Sequence, residues 1–298
     1  MKKMRLPIII ALSVALLGVL LGSFFDLQIS QSIASATNGF GLAMSAIGTT
    51  FGFSATALIS GGFLALGLKK DFKIYFRILF FLAAAVIYGG SVYYSGGEYF
   101  GVNGFHEAAP VWVGYLIVCL PLAGAVFLGY WLMKDTTHPY AWVILLIGFA
   151  VAGIGLLAGI NGLKGIFHRP RFRAIEAAGI PFHAWWQRCT DYKELMETHN
   201  LGSDEFKSFP SGHTGEASLP LIAFTLLPLL SQKLRKIQIP LFICGGALVL
   251  ITAFARILAA AHFLSDVSMG ATIMITCLLV ANEVVMRIKP LQIEENAE

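Results

Sequence analysis

The chain has 298 residues, of which 57% are hydrophobic and only 13% are charged. About a quarter of the residues of a soluble domain are charged, so this composition excludes an ordinary soluble globular protein. The mean hydropathy of +0.74 indicates a polytopic membrane protein instead. The net charge of +4 is small, and we expect no nucleic-acid partner.

Apolar runs long enough to cross a bilayer follow one another along the chain. The first, from about Leu6 to Phe25, is long for a signal peptide and lacks a small-x-small cleavage site, so we expect a retained signal anchor. Seven further runs lie near Thr50–Leu68, Ile78–Tyr94, Val111–Met133, Ala141–Leu163, Thr214–Leu230, Ile239–Ala255 and Val267–Met286. The second and sixth of these eight runs are short and contain Gly or Pro. We therefore predict an all-α, polytopic membrane helical bundle of about six to eight transmembrane helices.

The positions of Lys and Arg predict the orientation of this bundle. With the N-terminus inside, 13 of the 21 basic residues fall in inner segments, and the other eight fall in segments that carry or join three motifs. The remaining outer segments, Asp26–Thr49 and Gly96–Pro110, contain none. We therefore expect both termini inside and the motifs on the extracytoplasmic face. No repeat or linker divides residues 1–298, which we interpret as one domain, and its first half (about Met1–Lys134) shows no recognisable chemistry.

The first motif is Ser208–Gly215, which ends a polar segment and opens an apolar run. Ser211 favours a helix start, and Gly212 lets a ligand approach the backbone closely. The first amides of a helix can hold an anion, and His213 would lie beside that anion with a pKa in a useful range. On these residues alone, an ordinary helix start with a surface histidine is an equally good interpretation.

Two further motifs lie at the ends of apolar runs, at Lys164–Arg171 and at Arg256–Asp266. Both motifs contain cations, and several cations together with amide donors are what binding an anion such as a phosphate monoester requires. One cation at a helix end is commonly a snorkelling side chain, so a single such residue carries little weight. His262 and Asp266 are four residues apart, which on a helix places them on one face and lets the carboxylate orient the imidazole. The alternative is a polar pair inside the bundle, but ionisable groups are costly there and usually functional.

Together the three motifs resemble the signature of the type 2 phosphatidic acid phosphatase (PAP2) superfamily. That signature is Lys, six residues, Arg-Pro; then Pro-Ser-Gly-His; then Ser-Arg, five residues, His, three residues, Asp. Phe172 and Ala255 depart from it, standing where Pro and Ser are usual, which bears on fine positioning rather than on activity. The resemblance covers roughly Lys164–Gly270, and we expect a PAP2-like catalytic core over about residues 141–286.

The resemblance implies a role for each matching residue. His262 would be the nucleophile that forms a phosphohistidine, and Asp266 would orient it. His213 would protonate the leaving oxygen and then activate water. The implied phosphate-binding residues are Lys164, Arg171, Ser211, Gly212 and Arg256, with Arg169 as a further candidate. Glu216 lies on the predicted His213 face, and the sequence leaves open whether it tunes His213 or faces a polar cavity.

The remaining candidates carry less chemistry. His168 lies inside the Lys164–Arg171 motif and could line the site. Surface or structural roles are expected for the other four histidines, His106, His138, His183 and His199. The polar Arg173–Lys207 loop contains Trp185-Trp186, for which an interfacial anchor is slightly favoured over a lid. The four cysteines, at 119, 189, 244 and 277, show neither a disulfide framework nor metal-ligand spacing.

The resemblance implies a metal-independent phosphatase without a cofactor, and the predicted position among lipid headgroups implies a lipid phosphate or lipid pyrophosphate as substrate. A phosphotransferase of the same fold is the alternative within the enzymes. A transporter of an anionic substrate is the alternative from another class, although transporters usually show repeated halves. Undecaprenyl pyrophosphate, phosphatidylglycerol phosphate, phosphatidic acid and lipid A all fit, and the oligomeric state stays open. A bacterial cytoplasmic membrane is the expected location.

Overall fold

The computed structural model describes residues 2–101 and 108–288, and its α-helices are numbered here in chain order. The first four are α1 (Lys2–Ile33), α2 (Gly39–Leu68), α3 (Ile74–Gly96) and α4 (Val111–Met133). A nearly continuous helical run follows, made of α5 (Ala141–Gly153), a π-helical segment (Ile154–Asn161) and α6 (Gly162–Phe167). The remaining helices are α7 (Phe172–Ala178), α8 (Tyr192–Thr198), α9 (Gly212–Ala217), α10 (Leu219–Leu226), α11 (Gln232–Lys236), α12 (Gln238–Leu258) and α13 (Leu264–Arg287), with 3₁₀ turns at Ser203–Phe206 and Leu227–Leu229.

Seven helices in the described ranges are long and apolar enough to cross a membrane. They are α1 to α4, the run Ala141–Ala178, α12 and α13. The predicted all-α membrane bundle is thereby confirmed, and these helices indicate an integral membrane protein. The predicted sixth span, near Thr214–Leu230, is instead a chain of short helices. Pro220 and Pro228 each stand at the start of a new piece, since proline cannot donate the backbone hydrogen bond that would continue a helix.

The prediction that Asp26–Thr49 forms an outer loop is wrong. Helix α1 continues to Ile33 and α2 begins at Gly39, so residues 34–38 alone join them. Asn38 caps α2 by accepting a hydrogen bond from the Gly41 amide at 2.8 Å. This weakly charged stretch therefore belongs mostly to two helices, and Asp26, the one charged residue in it, is 3% exposed.

Helix α9 is clamped between α2 and α13, and this fixes the position of His213. A Cβ on Gly52 of α2 would lie 2.3 Å from the Glu216 carbonyl oxygen, and one on Gly270 of α13 would lie 2.4 Å from the Ser211 carbonyl oxygen. Only glycine allows backbones to approach this closely, which is the usual use of small residues between membrane helices. The consequence is a short, rigidly held helix at the centre of the bundle.

Candidate active site

His262 lies in the turn between α12 and α13 and is fully buried. Its Nδ1 is 2.7 Å from the carbonyl oxygen of Ser208. A carbonyl oxygen can only accept, so Nδ1 carries the proton and, in the neutral ring, Nε2 carries a lone pair. Among the described residues Nε2 has no hydrogen-bond partner. A buried imidazole with one nitrogen fixed and the other available is the arrangement that a nucleophile needs.

The expectation that His262 and Asp266 share one helix face is wrong. Helix α13 begins at Leu264, so His262 precedes it, and Asp266 Oδ2 is 3.9 Å from His262 Nδ1. Asp266 Oδ2 instead accepts hydrogen bonds from the Ser208 hydroxyl (2.5 Å) and the Phe263 amide (2.8 Å). Asp266 therefore orients His262 indirectly. It holds Ser208, whose carbonyl oxygen accepts the hydrogen bond from His262 Nδ1.

Arg169, a candidate phosphate ligand, is fully buried beside Asp266. Its Nη1 donates to Asp266 Oδ1 (2.5 Å) and its Nη2 to Asp26 Oδ2 (2.9 Å). Its Nε donates to the His183 carbonyl (2.8 Å), so all three guanidinium nitrogens have protein partners. The structure thus places Arg169 as the counter-charge of two carboxylates, which fixes Asp266 from the side opposite Ser208.

His213 is buried in α9, and its ring centroid is 6.4 Å from that of His262. Ser211 caps α9, its hydroxyl accepting from the Thr214 amide at 3.4 Å, as the sequence predicted. The Nε2 of His213 is 3.0 Å from the Glu98 carboxylate. Burial and the charge of Arg256 lower the pKa of His213 to about 4 although Glu98 acts in the opposite direction. His213 is therefore neutral near pH 7 in the free protein.

Glu98 is the counter-charge of this part of the site. Burial alone would raise the pKa of its carboxyl, but His213, Arg256 and Arg171 together lower it to about 2. Glu98 is therefore ionised at neutral pH. A charged carboxylate 3.0 Å from the ring stabilises the imidazolium form whenever His213 takes up a proton.

The three predicted phosphate-binding cations come from three separate elements. Lys164 lies in α6, Arg171 immediately before α7, and Arg256 in the last turn of α12. After burial, the charges of Arg171, Arg256 and Lys164 are the main causes that hold the pKa of His262 well below its usual value. The structure therefore brings all three cations to bear on His262, and this keeps its imidazole neutral.

Each cation also has a protein contact in the described residues. Lys164 Nζ donates to the Lys207 carbonyl at 3.0 Å, and Arg171 Nη2 to Asp204 at 3.0 Å. Arg256 Nη1 donates to the Ser45 hydroxyl of α2. These contacts fix the direction of long side chains in advance, which reduces the ordering required when an anion binds.

A sequence comparison now bears on this geometry. The model of the PAP2 superfamily matches residues 140–289, half of the chain, and that range contains both histidines, Asp266 and the three cations. The chain belongs to the PAP2 superfamily. Comparison with curated proteins finds no match, and neither does comparison with solved structures.

PAP2 proteins are generally phosphatases, and two smaller parts of this site fit the binding of a phosphate. The Ser211 amide donates to the Asp266 carbonyl at 2.9 Å, which joins the start of α9 to α13. Gly212 lies beside Lys164: a Cβ added there would be 3.6 Å from Lys164 Nζ. The backbone at Gly212 is thus adjacent both to a cation and to His213. The phosphate-binding roles of Ser211 and Gly212 stay predictions.

Glu216 lies in α9, at one end of a largely apolar cavity of about 260 Å³ that Gly212 also lines. Its Oε2 accepts from the Thr49 hydroxyl at 3.3 Å. Of the two interpretations left open by the sequence, the structure favours a residue that faces a cavity, although that cavity is mostly apolar rather than polar.

Four residues at this PAP2 site lie outside the matched region and were missed from the sequence. They are Asp26, Ser45, Thr49 and Glu98. The first half of the chain, which shows no recognisable chemistry in its sequence, thus contributes side chains to the site. A signal for Asp26 existed, because it is the one charged residue between Arg5 and Lys69 and an ionisable group in an apolar run requires a partner. Glu98 stands in a polar segment, where nothing in the sequence distinguishes it.

The remaining predicted candidates lie around this site. His168 stacks on Tyr192, with ring centroids 3.8 Å apart. His183 holds Arg169 through its carbonyl, which is a structural role. His138 is half-buried and His199 is exposed. His106 lies outside the described residues. Trp185 donates to the Ser23 hydroxyl (2.9 Å) and stacks on Phe209, so it joins the loop to α1, whereas Trp186 is 52% exposed.

One group of potential metal ligands occurs in the described part of the chain, formed by His183, Cys189 and Asp191, whose ligand atoms lie within 4.8 Å of one another. Burial, and then Asp191, raise the pKa of the Cys189 thiol to about 12. The thiol is therefore protonated at neutral pH. The group belongs to the polar loop, apart from the residues that surround His262.

Proposed function

We propose that this PAP2 protein is a metal-independent phosphatase that hydrolyses a lipid phosphate or lipid pyrophosphate through a phosphohistidine. The observation that carries the proposal is the state of His262. It is buried and neutral, its Nδ1–H is fixed by the Ser208 carbonyl, and its Nε2 is without a partner among the described residues. Three cations and a second histidine act on the same ring.

In the first step Lys164, Arg171 and Arg256 hold the phosphate oxygens. Nε2 of His262 attacks phosphorus, and the bond between phosphorus and the leaving oxygen breaks. The proton stays on Nδ1 and keeps its hydrogen bond to the Ser208 carbonyl oxygen, which stabilises the positive charge that develops on the ring. Asp266 and Arg169 keep Ser208 in place during this change.

The leaving oxygen receives a proton from His213. In the free protein the charge of Arg256 holds the pKa of His213 low. A bound phosphate offsets that charge and raises the pKa, so substrate binding and proton uptake are coupled, with Glu98 stabilising the imidazolium. In the second step the now neutral His213 removes a proton from water. That water attacks phosphorus, and inorganic phosphate leaves His262.

The experiment that tests this proposal measures phosphate release from a panel of lipid phosphates and pyrophosphates by the purified protein. We expect release to survive EDTA and to be inhibited by vanadate, which mimics phosphate. Loss of activity in EDTA with recovery in Mg²⁺ would contradict the mechanism. Transfer of the phosphoryl group to an added lipid or sugar rather than to water would favour the phosphotransferase. Binding without any turnover would favour a transporter.

The proposed extracytoplasmic position of the site rests on the distribution of Lys and Arg. A cysteine at His199, in the segment that joins the motifs, should react with a membrane-impermeant thiol reagent in intact cells. A cysteine at Gln232, beside the predicted inner residues Lys233 and Arg235, should react only after the membrane is opened. The reverse pattern would place the site on the cytoplasmic face.

A further inference from the structure

The cavity that ends at Glu216 lies between α2, α3 and the π-helical segment, and its polarity changes along its length. At one end it is lined by Gly212, Glu216 and Asn161, next to His213. At the other end Val86 and Phe149 line it. Two hydroxyl groups in between, on Thr56 and Ser91, bond to each other at 2.7 Å, so they present little polarity to the cavity.

The cavity opens towards the lipid side of the bundle. Val86 and Leu157 on its wall are 67% and 59% exposed, and both lie in helices that are long and apolar enough to cross the membrane. From Val86 to Tyr94 along α3 the wall is about 12 Å long, at about 1.5 Å per residue. An apolar molecule could therefore enter from the bilayer and lie along the helices with one end at the active site.

The π-helical segment forms one wall of this cavity. On one side Gly155 and Gly159 pack against Met274 and Ile273 of α13, where an added Cβ would approach within 2.4 and 2.6 Å. On the other side Leu157 faces the cavity. π-Helical turns are rare and are frequently found at functional sites. Four of the eight residues of this segment line the cavity: Leu156, Leu157, Ile160 and Asn161.

We infer that this cavity binds the apolar chain of the substrate, so that the chain lies inside the protein while its phosphate lies at His262. The inference rests on the proposed function for the position of the phosphate. The occupant follows from the lining of the cavity. A polar end at which Gly212 lies beside Lys164, an apolar body and an opening to lipid match an amphiphile with one anionic head. Burial of each methylene group is worth about 0.8 kcal/mol, so affinity should depend steeply on chain length.

Two glycines on the cavity wall allow the inference to be tested. A Cβ at Gly90 of α3 or at Gly153 of α5 meets no atom within 4 Å, so both positions have open space for a larger side chain at the cavity wall. Gly246 of α12 is a matched control, because its Cβ also meets open space, it is half-buried in a membrane helix, and it does not line the cavity. Leucine is also a better helix former than glycine, so all three variants should fold.

The experiment measures the binding of n-alkyl phosphonates of increasing chain length, which cannot be hydrolysed, to the purified protein in one detergent. We expect Kd to fall by up to about fourfold for each added methylene until the cavity is full. In Gly90→Leu and Gly153→Leu, the fold-decrease in Kd per added methylene should be at most half of the wild-type value. In Gly246→Leu it should equal the wild-type value. Detergent partitioning is common to all variants and does not affect the comparison.

Wild-type chain-length dependence in both cavity variants would overturn the inference. So would an equal change in Gly246→Leu, since the effect would then not belong to the cavity. The same proteins are assayed for hydrolysis of the matching n-alkyl phosphates. If phosphonates bind with the expected dependence but no phosphate is released, the proposed phosphatase activity fails and the chain-binding cavity stands. If hydrolysis occurs without a difference between the variants in chain dependence, the cavity fails and the phosphatase stands.

Discussion

Residues 140–289 and residues 2–101 contribute different kinds of side chain to one site. The first range, which matches the PAP2 superfamily, supplies the reactive groups and the cations. The second adds two counter-charges, Asp26 and Glu98, to the acidic residues Asp204 and Asp266 of the first, and it also supplies the central helix α2. A buried cation or imidazolium without a partner is strongly destabilising, so a site rich in positive charge requires acidic partners. The family match therefore marks where the reactive residues lie, but not all the residues that hold them in place.

The largest effect should come from the matched region. His262→Ala removes the nucleophile, so turnover of lipid phosphates and of aryl phosphates should both be abolished in a phosphate-release assay. Its melting temperature should fall, because the substitution also removes a fully buried ring and its hydrogen bond from Nδ1 to the Ser208 carbonyl. His199→Ala, on an exposed histidine, should retain wild-type turnover. Residual turnover above the level of a mock preparation would show that another residue is the nucleophile.

The second effect depends on the leaving group. His213→Ala removes the general acid, and such catalysis is worth about 10²–10⁴-fold. Formation of the phosphoenzyme should fall by about this factor with a lipid monophosphate, whose leaving alkoxide needs a proton, and much less with a nitrophenyl phosphate. The step must be isolated by rapid quenching, because His213 is also needed to activate water. Equal losses on both substrates would contradict the role given to His213.

The third effect, of a substitution in residues 2–101, should be a loss of folding stability. Asp26→Asn leaves Arg169 with one carboxylate in a fully buried position, and breaking such a pair costs about 3–5 kcal/mol. We expect a clear fall in the melting temperature of the purified protein, accompanied by loss of activity because Asp266 is no longer fixed. Asp71→Asn, at an exposed position, is the control. An unchanged melting temperature would mean that the first half does not stabilise the site through this contact.

The smallest effect should be a shift in the pH profile. Glu98 raises the pKa of His213, so Glu98→Gln should lower that pKa. The acid form of His213 would then be lost at a lower pH, and the basic limb of kcat should move to lower pH, with a loss of about tenfold or less near pH 7. Glu176→Gln, on an exposed residue of α7, should leave the profile unchanged. A basic limb that stays in place would separate Glu98 from the proton transfer.

Much of the fold could be predicted from the sequence, because apolar runs of spanning length encode α3, α4, α12 and α13 directly. The start of α13 could have been predicted as well. Asp266 is the third residue of that helix and accepts from the Phe263 amide, which is the usual position for an acidic residue at a helix start. Recognising that signal would have placed His262 before the helix.

The counter-charges could not be predicted in the same way. Asp26 and Arg169 are 143 residues apart, and Glu98 and His213 are 115 apart. Local periodicity and motif spacing carry no information about such pairs, since they form only when whole helices pack together. Motifs identify the residues that react, whereas the residues that neutralise them are found from the three-dimensional arrangement.

The central claim is that the phosphoryl group passes through His262, and trapping it there is the most direct test. The His213→Ala protein is mixed with an aryl phosphate, which needs little acid catalysis, and quenched in alkali, under which a phosphohistidine survives. Because the base that activates water is missing, the intermediate should accumulate. Mass spectrometry of the digested protein should then find the phosphoryl group on the peptide that contains His262, and on no peptide after the additional substitution His262→Ala. A phosphoryl group on another residue, or its persistence without His262, would contradict the account.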